Sequence, residues 1–152
     1  MNEIIRTDSS NPDFQILVAL LDADLKIRDG EEHSFYSQFN KIDNIRNVIV
    51  VYKDREAIAC GAFKPFSTDT VEIKRMFVHP DHRGQGIALQ ILSELEKWAA
   101  ELRCKTCILE TGKRQFEAIG LYGKCGYERI PNYGQYEHVE NSVCMKKNIE
   151  II

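Results

Sequence analysis

No stretch of this chain approaches the roughly 20 consecutive apolar residues of a membrane-spanning helix, so no membrane partner is expected. No secretory leader is expected either. The opening MNEIIRTDSSNPDF carries charges where a leader would hold an unbroken apolar run, and a cytoplasmic protein is expected. Cations are not in excess: 20 Lys and Arg stand against 23 Asp and Glu, for a formal net charge of -3. Binding nucleic acid through bulk electrostatics needs the opposite balance, so no nucleic-acid partner is expected either. Repeats, low-complexity tracts and linkers are absent, and residues 1–152 read as a single domain.

Five cysteines, an odd number, in a chain where no export signal is expected read as reduced thiols. Cys104-x-x-Cys107 has the spacing of a redox pair or half a zinc site. A redox pair belongs at a helix start, where the dipole lowers the thiol pKa, whereas Cys104 follows the end of a helix and Cys107 lies in the next strand. Zinc would need two further ligands. Small buried side chains are the simpler reading, and no metal is expected. Two phosphate motifs are also missing. Gly123-Lys124 has no glycine five residues earlier and is followed by Cys125, which excludes a P-loop. The Gly84, Gly86 pair meets Leu89 where a dinucleotide fingerprint needs glycine.

What remains is an ordinary globular composition, 43% apolar and 28% charged, in a chain long enough to bury roughly 70% of its unfolded surface. Glu3 to Thr7 reads as a first strand. Ser9, Ser10 and Asn11 offer an N-cap ahead of Pro12, and Phe14, Leu17, Val18, Leu21 and Leu25 recur at helical spacing until Arg28-Asp29-Gly30. Residues 31–40 suggest a second short helix. Asn47 to Tyr52 and Ala57 to Lys64 form a hairpin about a polar turn, and Pro65 to Asp69 turns the chain again.

Val71 to Leu102 follows: an apolar strand, a turn at His79-Pro80, a glycine-bearing loop and an amphipathic helix striped by Ala88, Ile91, Leu92, Leu95, Trp98, Ala99 and Leu102. The strand's phase slips. Val71 and Ile73 share one face with Glu72 and Lys74 on the other, but Arg75 interrupts and the apolar face resumes at Met76 and Val78. A one-residue slip predicts a β-bulge, which re-aims groups beside active sites. The loop Arg83-Gly84-Gln85-Gly86-Ile87-Ala88 opens a helix, whose unpaired N–H groups and dipole favour an anion. A strand at Thr106 to Glu110, parallel to the bulged one, a helix near Phe116 to Lys124 ended by Gly126, and strands at Tyr127 to Ile130 and Ser142 to Lys147 complete the order.

Arg83-x-x-Gly86-x-Ala88 resembles the acyl-CoA pyrophosphate loop of the GNAT superfamily of N-acetyltransferases: Arg or Gln, two residues, Gly, one residue, then Gly or Ala. A second region agrees. Leu109-Glu110-Thr111-Gly112 and then Ala118-Ile119-Gly120-Leu121-Tyr122-Gly123-Lys124-Cys125-Gly126-Tyr127 is similar to the family's A-x-x-L-Y-x-x-x-G-F/Y element. The resemblance covers Val48 to Lys147 closely and residues 1 to 47 only in outline. It implies an α/β GNAT fold: a mixed, mostly antiparallel sheet with a β-bulge and splayed parallel strands, flanked by about four helices.

The resemblance further implies an acetyltransferase using acetyl-CoA (coenzyme A), with cofactor contacts at Met76, Phe77 and Val78 on the strand and at Arg83, Gly84, Gln85, Gly86, Ile87 and Ala88 in the loop. Tyr122 matches the tyrosine that protonates the leaving sulfur; with ordinary pKa values of about 10 and about 8.5, that transfer is uphill by roughly 2 kcal/mol. Glu72 is the first candidate for the base that takes the amine proton, directly or through water, and Glu110 the second. Arg75, Arg114, Tyr36 and Tyr133 are candidate substrate-binding residues. His33, Phe35, Lys74 and Tyr136 are weaker candidates for the pocket lining. The expected acceptor is a primary amine of a small or amino-acid-like molecule. The alternatives are a peptide or protein N-terminus, which would need an open groove, and a non-catalytic acyl-CoA sensor. A homodimer, common among relatives, is allowed but not required.

Overall fold

The structure, a computed structural model, describes residues 2–29 and 44–149, the side chains of 26–29 excepted. Its elements run β1 Asn2–Thr7, α1 Pro12–Asp29, β2 Asn47–Lys53, β3 Glu56–Ser67, β4 Thr70–Val78, α2 Ile87–Glu101, β5 Thr106–Gly112, α3 Phe116–Lys124, β6 Glu128–Ile130 and β7 Ser142–Asn148. Three α-helices therefore lie among the described residues. The expected helix at 31–40, with Tyr36, His33 and Phe35, falls outside them.

One seven-stranded sheet has the order β1-β2-β3-β4-β5-β7-β6. Among the described strands only β4 and β5 pair in parallel, as a strand, helix and strand in succession require. The two faces are covered separately. Phe14, Leu17, Val18 and Leu21 of α1 pack with Val48, Val50, Cys60, Ala62 and Phe77. On the other face Ile87, Ile91, Leu92, Leu95 and Ala99 of α2 pack with Ile49, Val51, Phe63, Val71 and Ile73, joined by Tyr122 of α3 and Tyr127.

Local chemistry sets the boundaries. The Asn11 side chain accepts from the Phe14 amide at 2.9 Å and caps α1. Asp54 and Arg55 both take positive φ in the two-residue turn between β2 and β3, the backbone a tight hairpin needs. The turn expected at Pro65 to Asp69 is shorter, because β3 continues to Ser67 and slips register between Pro65 and Ser67; a slip accommodates a residue with no N–H to give. Leu102, expected on the buried stripe of α2, is 54% exposed, while Ile87 begins the buried face. Leu102 is the C-cap, and past the last turn the helical period no longer dictates which way a side chain faces.

The bulge is present. Cys60 pairs with Phe77 and Ala62 with Lys74, so Arg75 and Met76 together oppose Gly61. Arg75 adopts φ 59°, and the Cys60 thiol donates to its carbonyl at 3.3 Å. Gly61 is required here: a Cβ would lie 2.6 Å from Ile91 Cγ2 and 2.6 Å from Met76 Sδ. All five cysteines are free thiols and four are buried, with Cys60 and Cys107 pushed up to about 12 by burial. Among the described residues no set of His, Cys, Asp or Glu is grouped to hold a metal ion, and no helix is long and apolar enough to cross a membrane.

Candidate active site

The parallel pairing of β4 with β5 ends at Ile73 and Leu109. Beyond it comes the bulge in β4, and the two strands no longer pair. Two depressions meet in this split. A groove of about 630 Å³ runs along Met76, Phe77 and Val78 to the loop at Arg83, Gly84 and Gly86 and the first turn of α2, with α3 as its far wall. A cavity of about 110 Å³ lies among Glu72, Lys74 and Arg75 of β4, Glu110 to Gly112 of β5, and Leu21, Leu25 and Tyr136. Leu21, Met76, Gln115, Ala118 and Tyr122 line both.

The loop is shaped by its glycines. Gly84 has φ 79° and Gly86, the N-cap of α2, has φ 78°, values costly for a residue with a Cβ. A Cβ at either would meet nothing within 4 Å. The space over the helix start is open, and no side chain caps it, so the α2 amides are presented to whatever occupies the groove. Arg83 points elsewhere. Its Nε donates to the Val78 carbonyl at 2.8 Å, and its guanidinium stands 5.6 Å from the Phe77 ring and 3.8 Å from Asp24. Every sequence-predicted cofactor residue lines the groove except Gln85, which is exposed.

Tyr122 is 7% exposed and lies where groove and cavity meet. Burial, with Cys125 and Glu110 as smaller contributors, pushes its phenol well above the usual tyrosine range. Glu72 is buried on the cavity wall, accepting from the Tyr133 hydroxyl at 2.7 Å with Lys74 Nζ 3.9 Å away. Burial lowers the Lys74 pKa, partly offset by Glu72, and desolvation with the Glu72 charge raises that of Tyr133. Glu110 accepts from Ser142 Oγ at 2.7 Å. Arg75 lines the cavity and donates to Asp22 at 2.9 Å. Arg114 is exposed and is not part of the lining, and Tyr133 reaches the site through Glu72. Gln115, the N-cap of α3, was not singled out by the sequence; a lone polar residue before a helix carries no chemical signature.

The two depressions open on one another where Tyr122 lines both. Residues 14–127 match the acetyltransferase (GNAT) family, and the chain belongs to that family of acyltransferases. An IAA acetyltransferase of Azospirillum brasilense is 33% identical over 103 residues, 65% of this chain and 65% of that protein, so the chain spans just under two thirds of this curated relative's length. An acyl-CoA N-acyltransferase structure from Klebsiella pneumoniae superposes with a TM-score of 0.83 at 28% identity, covering 99% of both chains. The PaiA N-acetyltransferase of Thermoplasma acidophilum, solved with coenzyme A, shares the fold with a TM-score of 0.73 at 17% identity over 97% of this chain and 99% of that one.

Proposed function

We propose that this chain is an acetyl-CoA-dependent N-acetyltransferase that acts by direct attack of a small molecule's primary amine on the thioester. The observation that carries this reading is the meeting of groove and cavity at Tyr122. The residues of the groove suit the cosubstrate. The positive-φ backbone at Gly84 and Gly86 leaves open space over a helix start that favours a pyrophosphate. Coenzyme A supplies the activated acyl group as a thioester.

The chain's own residues supply the rest. Amides from Gly84 to Ala88 hold the anionic end, and Arg83 braces the wall through Val78 and Asp24. Main-chain groups of Met76 to Val78, free of β5, pair with the amide-bearing arm, and an N–H at Phe77 or Val78 polarises the carbonyl, a contribution of about 3 kcal/mol. Glu72 takes the amine proton, directly or through water, with Tyr133 fixing its carboxylate and Glu110 the second candidate. As the C–N bond forms and the C–S bond breaks, Tyr122 gives its proton to the sulfur.

A non-catalytic acyl-CoA sensor is the second reading, favoured by one observation: both Glu72 oxygens already face partners. Thiol release from acetyl-CoA across a panel of amines and amino acids separates the two. Acceptor-dependent release supports the transferase; tight acetyl-CoA binding with no acceptor turned over supports the sensor.

A further inference from the structure

We infer that the acceptor carries a carboxylate, bound by the unsatisfied half of the Arg75 guanidinium inside the cavity. The inference rests on the transferase reading for its second substrate. Arg75 is the bulge residue, at φ 59°, and its side chain is only 2% exposed. Nη1 donates to Asp22, whereas Nη2 is wholly buried with no hydrogen-bond partner among the described residues. A guanidinium keeps its charge, and buried donors in folded proteins are almost always paired. Arg75 lines the cavity, and turning its guanidinium toward that space would offer the orphaned N–H, which has almost no accessible surface where it stands, to a ligand oxygen.

The neighbouring charges define the ligand. Lys74, 10% exposed on its side chain, lines the same cavity. The lining acids are engaged, Glu72 with Tyr133 and Lys74, Glu110 with Ser142. Glu72, Lys74, Arg75, Glu110 and the Asp22 paired with Arg75 sum to a formal charge of -1, which a zwitterion leaves unchanged and an amine bearing a phosphate dianion would make more negative. The planar guanidinium suits a carboxylate. Arg75 and Tyr122 line the same cavity, so an anion held there shares the compartment of the proposed acid. An amino acid or a similarly short aminocarboxylate fits.

The test compares amino acids with their carboxamides. Thiol release from acetyl-CoA should favour at least one free acid over its amide by about 10- to 100-fold in kcat/KM, the scale of one charge-assisted hydrogen bond. Arg75→Met should bring that ratio to about one through KM and leave Tm little changed, because the orphaned donor and the bond to half-exposed Asp22 are lost together. Arg75→Lys should restore part of the preference. Wild-type indifference between acid and amide, or a preference that survives Arg75→Met, would overturn the inference. Calorimetry of the CoA-saturated protein with the same pairs needs no chemistry: acids bound but never acetylated sink the transferase reading alone, and acids bound no better than amides sink the carboxylate site.

Discussion

Burial keeps the Tyr122 phenol protonated well past the usual tyrosine range, which raises the cost of giving the proton to a thiolate beyond the roughly 2 kcal/mol of ordinary pKa values. In the proposed reaction such an acid is always loaded but reluctant, so its use would depend on sulfur developing charge first. Tyr122→Phe should lower kcat by about 100-fold or more with acetyl-CoA affinity nearly unchanged, as measured by steady-state kinetics and calorimetry. Activity of the wild type should not fall in a step centred near pH 10, since the folded phenol titrates above that; such a step, absent in Tyr122→Phe, would show an unshifted tyrosine. At this scale the sequence was legible where a motif recurs: Tyr122 and the loop glycines stood out. The Tyr133 hydroxyl on Glu72 joins residues 61 apart, and the burial of the Arg75 guanidinium depends on α1; no local pattern encodes either.

The bulged strand is the element on which the site turns, and its stability rests on Gly61. Gly61→Ala would set a methyl 2.6 Å from Ile91 and 2.6 Å from Met76, pressing α2 from the sheet. A loss of about 1–3 kcal/mol is expected, the range for overpacking, read as a lower denaturant midpoint. The C-terminus of α2 offers the reverse. Arg103 sits at φ 67°, where the Cys104 amide donates back to the Ala99 carbonyl at 3.0 Å, a helix ending that normally takes glycine. Arg103→Gly should raise stability by about 0.5–1 kcal/mol in the same denaturant series, by relieving the Cβ strain. The slip from Ile73 to Met76 announced the bulge in sequence because period-two alternation admits no other remedy, whereas the reach of β3 through Pro65 escaped notice because a proline there reads as a stop.

For the molecule as a whole, the buried thiols set an alkaline limit. Cys60 and Cys107 titrate near 12 when folded, against 9 when free. The unfolded chain therefore loses these protons first, binds fewer than the native state between pH 9 and 12, and stability falls as pH rises through that window. Each thiol contributes about 1.4 kcal/mol per pH unit there, a decline that thermal melts under reducing conditions would record; a flat Tm from pH 8 to 10.5 would contradict it. Saturation with acetyl-CoA should act oppositely, adding about 2.7 kcal/mol at a hundredfold excess over Kd. Alternation, helical spacing, glycine punctuation and the two GNAT-like motifs determined the elements, their order and the family, because all are properties of neighbours along the chain. The parallel strands' point of divergence, the opening of cavity onto groove at Tyr122 and the half-paired guanidinium of Arg75 were decided only by tertiary structure, since each depends on which distant side chains burial brings together and which polar atoms it leaves without a partner.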